Sequence, residues 1–160
     1  MKKIIGIKVE NEPGILTRIA GMFVRRDFNI ETITVGKTRE DGISRIIISV
    51  DVDEKALDQM VKQLYKVMEV QKVTIHDENS IISELCLVKV AIPNDKARQE
   101  LLDYVEVYKV KIVDITVKSA IFQVVGTPDK IDSFLELVKK FGIKSVSRTG
   151  LTAMQRKEEK

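Results

Sequence analysis

Hydrophobic residues along this chain switch repeatedly between two periods. "KIIGIKVE" (3–10) is a β-branched run of strand type, and "GILTRIAGMFVRR" (14–26) repeats apolar residues three and four apart, placing Ile15, Ile19, Met22 and Phe23 on one helical face. "NIETITV" and "ISRIIISVDV" are again strand-like, and the "GKTREDG" between them contains Asp41-Gly42, a hairpin turn signal. Asp53 is placed to cap a second helix whose stripe is Leu57, Met60, Val61, Leu64, Val67 and Met68, before "EVQKVTIH" returns as a strand. The order is βαββαβ.

After the polar "DENS" the same order recurs. Strand "IISELCLVKVAI" leads to a helix from Asn94 to about Tyr108, then strands "VKIVDITV" and "SAIFQVVGT". In the last helix Thr127 is the N-cap, Pro128 the first residue, Ile131, Phe134, Leu135, Val138 and Phe141 the apolar face, and Gly142 the stop; "IKSVSRTG" is the final strand. The chain is therefore expected to be α+β, with two tandem ferredoxin-like βαββαβ domains over 1–77 and 80–160, each a four-stranded antiparallel sheet with both helices on one face. Ile46, Ile47 and Ile48 are consecutive, so the first sheet should be covered on both faces, by an oligomer or a tight domain contact, most simply a second copy in a homodimer.

The break "NEPG" at Asn11 to Gly14 is where chemistry enters. A helix start leaves backbone N–H groups unpaired at the positive end of the helix dipole, which suits a carboxylate or phosphate. Gly14 permits close approach, and the amides of Asn11 and Asn29 offer donors and acceptors, so the set can hold a zwitterion such as an amino acid. Pro13-Gly14 can equally make only a turn, and Asn29 only a cap or a left-handed corner.

Seven segments in this order resemble a known family: "ENEPGILTRIAGMF", "RRDFNIETITVG", "SRIIISV", "QLYKVMEVQKV", "SELCLVKV", "VEVYKVKIVDIT" and "RTGLTAMQR". The stretch around the break resembles an ACT domain, and the nearly full-length pattern resembles the regulatory small subunits of acetohydroxyacid synthase, also called acetolactate synthase. The resemblance implies a chain with no catalytic site in the biosynthesis of valine, leucine and isoleucine. Such a chain activates a separate catalytic large subunit and confers feedback inhibition by valine or a related branched-chain amino acid. It also implies that thiamine diphosphate, magnesium and FAD belong to the catalytic subunit, with no cofactor in this chain. By position, Asn11, Pro13, Gly14, Ile15 and Leu16 match the family's effector loop, Asn29 and Ile30 are contributed by a neighbouring ACT domain across a dimer interface, and Thr34 and Gln59 are further candidates. Asp27 stands where the family commonly has glycine; aspartate tolerates positive φ better than most residues. The first domain is expected to bind effector and dimerise, the second to contact the catalytic subunit, since "IPNDKA" lacks an "NEPG" break.

Composition narrows the alternatives. Hydrophobic residues make up 44% and charged residues 32%, and no apolar run approaches the ~20 residues of a membrane span, so a cytoplasmic location without membrane contact is expected. One cysteine and one histidine argue against a disulfide framework and a zinc site. Cys86, amid "ELCLVKV", reads as a buried structural thiol, and His76 as an exposed loop residue. "GKT" at Gly36 lacks the glycine-rich cradle of a phosphate loop. An RNA-recognition domain shares the βαββαβ order, but "RIIISVDV" offers no aromatic for base stacking, and the net charge of +3 is dispersed, so no nucleic-acid partner is expected. A stand-alone amino-acid-sensing ACT regulator is the other alternative.

Overall fold

The computed structural model describes residues 1–157. It divides into two units, Met1–Ile81 together with Leu151 onward, and Ile82–Gly150. Both have the expected element order. The first contains β1 (Lys2–Glu10), α1 (Ile15–Val24), β2 (Ile30–Lys37), β3 (Ile43–Asp51), α2 (Glu54–Leu64) and β4 (Val70–His76). Strand β5 (Ser80–Ala91) opens the second, followed by α3 (Asp95–Tyr108), β6 (Lys111–Ile115), β7 (Ser119–Gly126), α4 (Pro128–Val138) and β8 (Ile143–Arg148).

In the first unit the sheet order is β2-β3-β1-β4, all antiparallel. Side chains alternate across a strand, so Ile5, Ile7, Val9, Ile46, Ile48 and Val50 share one face and bury against Ile15, Ile19 and Phe23 of α1 and Leu57, Met60 and Leu64 of α2. Asp53 caps α2 as its type predicts, its carboxylate accepting from the Ala56 N–H at 2.7 Å. Met68 departs from the expected stripe and is 94% exposed, because α2 ends at Leu64 and the turn that follows breaks the 3.6-residue phase.

The outer face of this sheet is where expectation and structure differ. Ile47 and Ser49 are buried there at 3% and 0% exposure, as coverage on both faces requires. Part of the cover is the chain's own C-terminal segment: Leu151 and Ala153 are buried at 1% and 5%, and the Thr34 hydroxyl donates to the Leu151 carbonyl. That segment contains an unexpected strand, β9 (Thr152–Gln155), which pairs with β5. Leu151 onward, expected with a second domain of 80–160, thus groups with the first unit; 158–160 lie outside the described residues. His76 is also buried rather than in an exposed loop. Its ring lies over Gly6, where an added Cβ would fall 2.7 Å from Nε2, and its Nδ1 is 3.1 Å from the Ser80 hydroxyl.

The second unit has sheet order β6-β7-β5-β8, and its core joins Cys86, Val88, Phe122 and Val124 to Leu101, Ile131, Phe134 and Val138. Phe134 sits at its centre, edge-on to Phe122 and Tyr108 with ring centroids 5.8 and 5.5 Å apart. Cys86 is fully buried and burial pushes its thiol pKa up, as befits a packing residue. Beside it Arg148 grips Glu84 with two hydrogen bonds of 2.7 and 2.8 Å and reaches Asp132 at 2.6 Å. Glu84 is only 4% exposed. Replacing Arg148 by Met strands that carboxylate, and the expected loss is about 3 kcal/mol of stability, read as a lower denaturant midpoint. An unchanged midpoint would show that the pair is energetically neutral.

Candidate effector site at the start of α1

Helix α1 begins differently from the other three. Asp53, Asn94 and Thr127 each place a side-chain oxygen on an N–H of the first turn, at 2.7, 2.8 and 3.4 Å. Each of those turns also contains an acid, Glu54, Asp95 and Asp129 respectively. At α1 the N-cap is Gly14, with φ +82, no side-chain cap and no acid in the first turn. Its N–H groups and the positive end of its dipole therefore have no anionic group of their own. Nothing lies within 4 Å of where a Gly14 Cβ would stand, so the approach is open.

The surrounding loop is locally fixed. The Asn11 N–H donates to the Gly42 carbonyl at 2.7 Å, and the Ile15 N–H to the Glu12 carbonyl at 3.2 Å. Asn11, Pro13, Gly14 and Leu16 are exposed, whereas Ile15 turns into the core and contributes only backbone to this surface. A depression of about 130 Å³ adjoins the loop, bordered by Asn11, Lys37, Asp41 and Gly42. Glu40 at its rim accepts from Lys8 at 2.7 Å, and that hydrogen bond holds its carboxyl below the usual range.

Asn29 is elsewhere. Its neighbour Ile30 pairs with Val50, which also pairs with Lys3 at the beginning of β1, whereas Asn11 follows Glu10 at the end of β1. The two amides thus lie at opposite ends of the sheet, separated by roughly 25 Å of strand. No single amino acid bridges them within one copy. Asp27, at the corner before Asn29, has φ +59, the left-handed conformation anticipated for it.

Thr34 and Gln59 are also separated. Thr34 pairs with Ile47 on the outer face and binds the C-terminal segment, while Gln59 is exposed on α2, a helix of the opposite face. The sequence offered no signal for Thr34's partner, which lies 117 residues away.

One further surface adjoins the site. Met22 and Phe23 of α1 face Met60 and Leu64 of α2, and Arg18 pairs with Glu69 before β4. The opposite flank of α1 therefore bears Leu16, Ala20 and Val24, and beside it the edge strand β2 exposes Ile33 and Val35. Val24 is 74% exposed and Val35 51%, an apolar strip along an unpaired strand edge.

The family profiles described as AHAS small subunit-like ACT domain and small subunit of acetolactate synthase match residues 5–72 and 83–157. A probable acetolactate synthase small subunit of Archaeoglobus fulgidus is 44% identical over the whole of both chains. The chain belongs to the acetolactate synthase small-subunit family. Within that family, the Bacillus subtilis small subunit is 42% identical over 98% of this chain and 91% of its own length. A crystal structure of the Thermotoga maritima small subunit aligns with a TM-score of 0.91 at 37% identity, covering 99% of each chain. The first unit is accordingly an ACT domain, and no helix among the described residues is long and apolar enough to cross a membrane.

Proposed function

We propose that this small subunit is the non-catalytic regulatory partner of a thiamine-diphosphate-dependent acetolactate synthase. In this reading it activates the catalytic large subunit and makes it sensitive to valine or a related branched-chain amino acid. The observation that carries the reading is the uncapped start of α1, whose N–H groups suit the effector carboxylate, while Asn11 and an Asn29 amide take its polar atoms. Thiamine diphosphate, magnesium and FAD are then held by the catalytic subunit.

The effector site is completed by a second copy. Two β2 edges paired antiparallel about the strand's middle would set residue 29 of one copy opposite the Lys37 end of the other, the end beside Asn11. The apolar strip of Leu16, Val24, Ile33 and Val35 would be covered by the same pairing. Edge strand β6 of the second unit is less suited, being five residues long and bulged next to Val113. Its helix starts are already capped by Asn94 and Thr127, which supports assigning that unit to catalytic-subunit contact instead.

RNA binding is disfavoured by the outer face of the first sheet. Strands β1 and β3 place Lys8, Arg45, Ile47 and Ser49 there, with no aromatic platform, and the C-terminal segment occupies part of the face. The test is reconstitution with the catalytic subunit. The chain alone should form no acetolactate from pyruvate, its addition should raise the catalytic subunit's rate, and valine should reverse the gain. Turnover by the isolated chain, or a reconstituted enzyme indifferent to every branched-chain amino acid, would defeat the reading.

A further inference from the structure

We propose that the segment 151–156 is a regulatory strap, held on the ACT sheet by Thr34, through which effector binding is transmitted to the second half of the chain. The proposal rests on the effector reading above and assigns Thr34 a role that does not involve touching the effector. Thr34 lies on the outer face of β2, the strand that opens with Ile30 directly after Asn29. Its hydroxyl donates to the carbonyl of Leu151. A ligand that engages Asn29 and shifts β2 therefore acts on the strap through a continuous strand and one hydrogen bond.

The strap is a discrete element held at a few points. It follows β8 after Thr149, whose N–H donates to the Leu85 carbonyl at 3.0 Å, and Gly150, whose φ of +86 gives a left-handed corner that other residues adopt only with strain. At its far end the Arg156 N–H donates to the Asn79 carbonyl at 3.2 Å. Between these points Leu151 and Ala153 are buried, but Thr152 and Met154 are exposed. A depression of about 300 Å³ bounded by Thr34, Arg45, Ile47 and Thr152 lies alongside, so the strap is not close-packed against β2. Room beside a short strap lets it shift without opening the core on the helix side. Residues 152–155 of the strap form β9, which pairs with β5, so a shift of the strap acts on β5, most of which lies in the second unit. Coupling of this kind needs both sites to bias one discrete element, and the strap is that element.

Hydrogen exchange and calorimetry on the full-length chain, with inhibition of the reconstituted enzyme, test the proposal. Thr34→Val keeps the side-chain shape and removes the donor. Exchange at 151–156 should rise roughly three- to tenfold, the effect of one hydrogen bond. Valine affinity by calorimetry should stay within about twofold, because Thr34 does not contact the ligand. The valine concentration for half-inhibition should nevertheless rise several-fold. Ala153→Glu, which puts a charge at a site 5% exposed, should expel the strap without altering β2 and reproduce the same pattern.

Unchanged exchange in Thr34→Val would show that the hydroxyl does not hold the strap. Raised exchange in both variants with unchanged inhibition would show that the strap carries no signal. A fall in affinity matching the fall in inhibition would return Thr34 to the binding site. Failure of the wild-type chain to bind any branched-chain amino acid would overturn the effector reading and the coupling built on it, a result distinct from the others because it needs no variant.

Discussion

Gly14→Asp is expected to weaken valine binding at least about a hundredfold while leaving the chain folded. The carboxylate would enter the open space before α1, within about 4 Å of where the effector's own carboxylate would lie. Two like charges at that distance repel by about 4 kcal/mol at an effective dielectric constant of 20, and a hundredfold loss needs only about 2.7 kcal/mol, which leaves margin for screening. The structural cost is smaller, because no atom lies within 4 Å of the new Cβ and the strain is confined to one residue at φ +82. Leaving glycine there costs about 1 kcal/mol, and aspartate tolerates the left-handed region comparatively well. Gly14→Ala separates the causes: it shares the strain, lacks the charge, and should bind within a few-fold of wild type by calorimetry. Should alanine lose as much as aspartate, backbone geometry rather than charge governs the site; should aspartate bind normally, the effector lies elsewhere.

Mixing two inactive variants should restore binding. Asn29→His, an exposed change with little expected effect on folding, removes the neutral donor and acceptor pair and should abolish valine binding as a homodimer. Asn11 and Asn29 lie at opposite ends of one sheet, so in the proposed dimer each effector site would take its loop from one copy and its Asn29 from the other. A heterodimer of Gly14→Asp and Asn29→His chains then has one site with both lesions and one with neither. Random pairing from an equal mixture makes half the dimers heterodimers, so about a quarter of the wild-type sites should return. Calorimetric stoichiometry of the co-refolded mixture measures this directly. If each site were built within a single chain, every chain would carry a lesion and mixing would restore nothing.

Features that depend on near neighbours in the chain follow from residue types alone. Strand and helix periods, the caps Asp53, Asn94 and Thr127, the left-handed Asp27 and the open start of α1 at Gly14 each follow from residue types a few positions apart. Their physics is local hydrogen bonding and backbone sterics, so the whole βαββαβ order and the loop from Asn11 to Leu16 are legible in the residue pattern alone. Met68 marks the limit of that logic, since its spacing matched the α2 stripe but the helix had already ended.

Other features depend on partners distant in sequence and emerge only in the folded chain. Three consecutive isoleucines showed that β3 is covered on both faces, but not that Leu151 and Ala153 supply part of the cover. His76 looked like a loop residue until β1 placed Gly6 beneath its ring. Thr34 and Gln59 became residues of opposite sheet faces, and Asn11 and Asn29 residues of opposite sheet ends, only once strand register was known. Register and coverage are set by long-range burial of apolar surface, which is non-directional and proportional to area, so no short window of sequence encodes which distant segment will provide it.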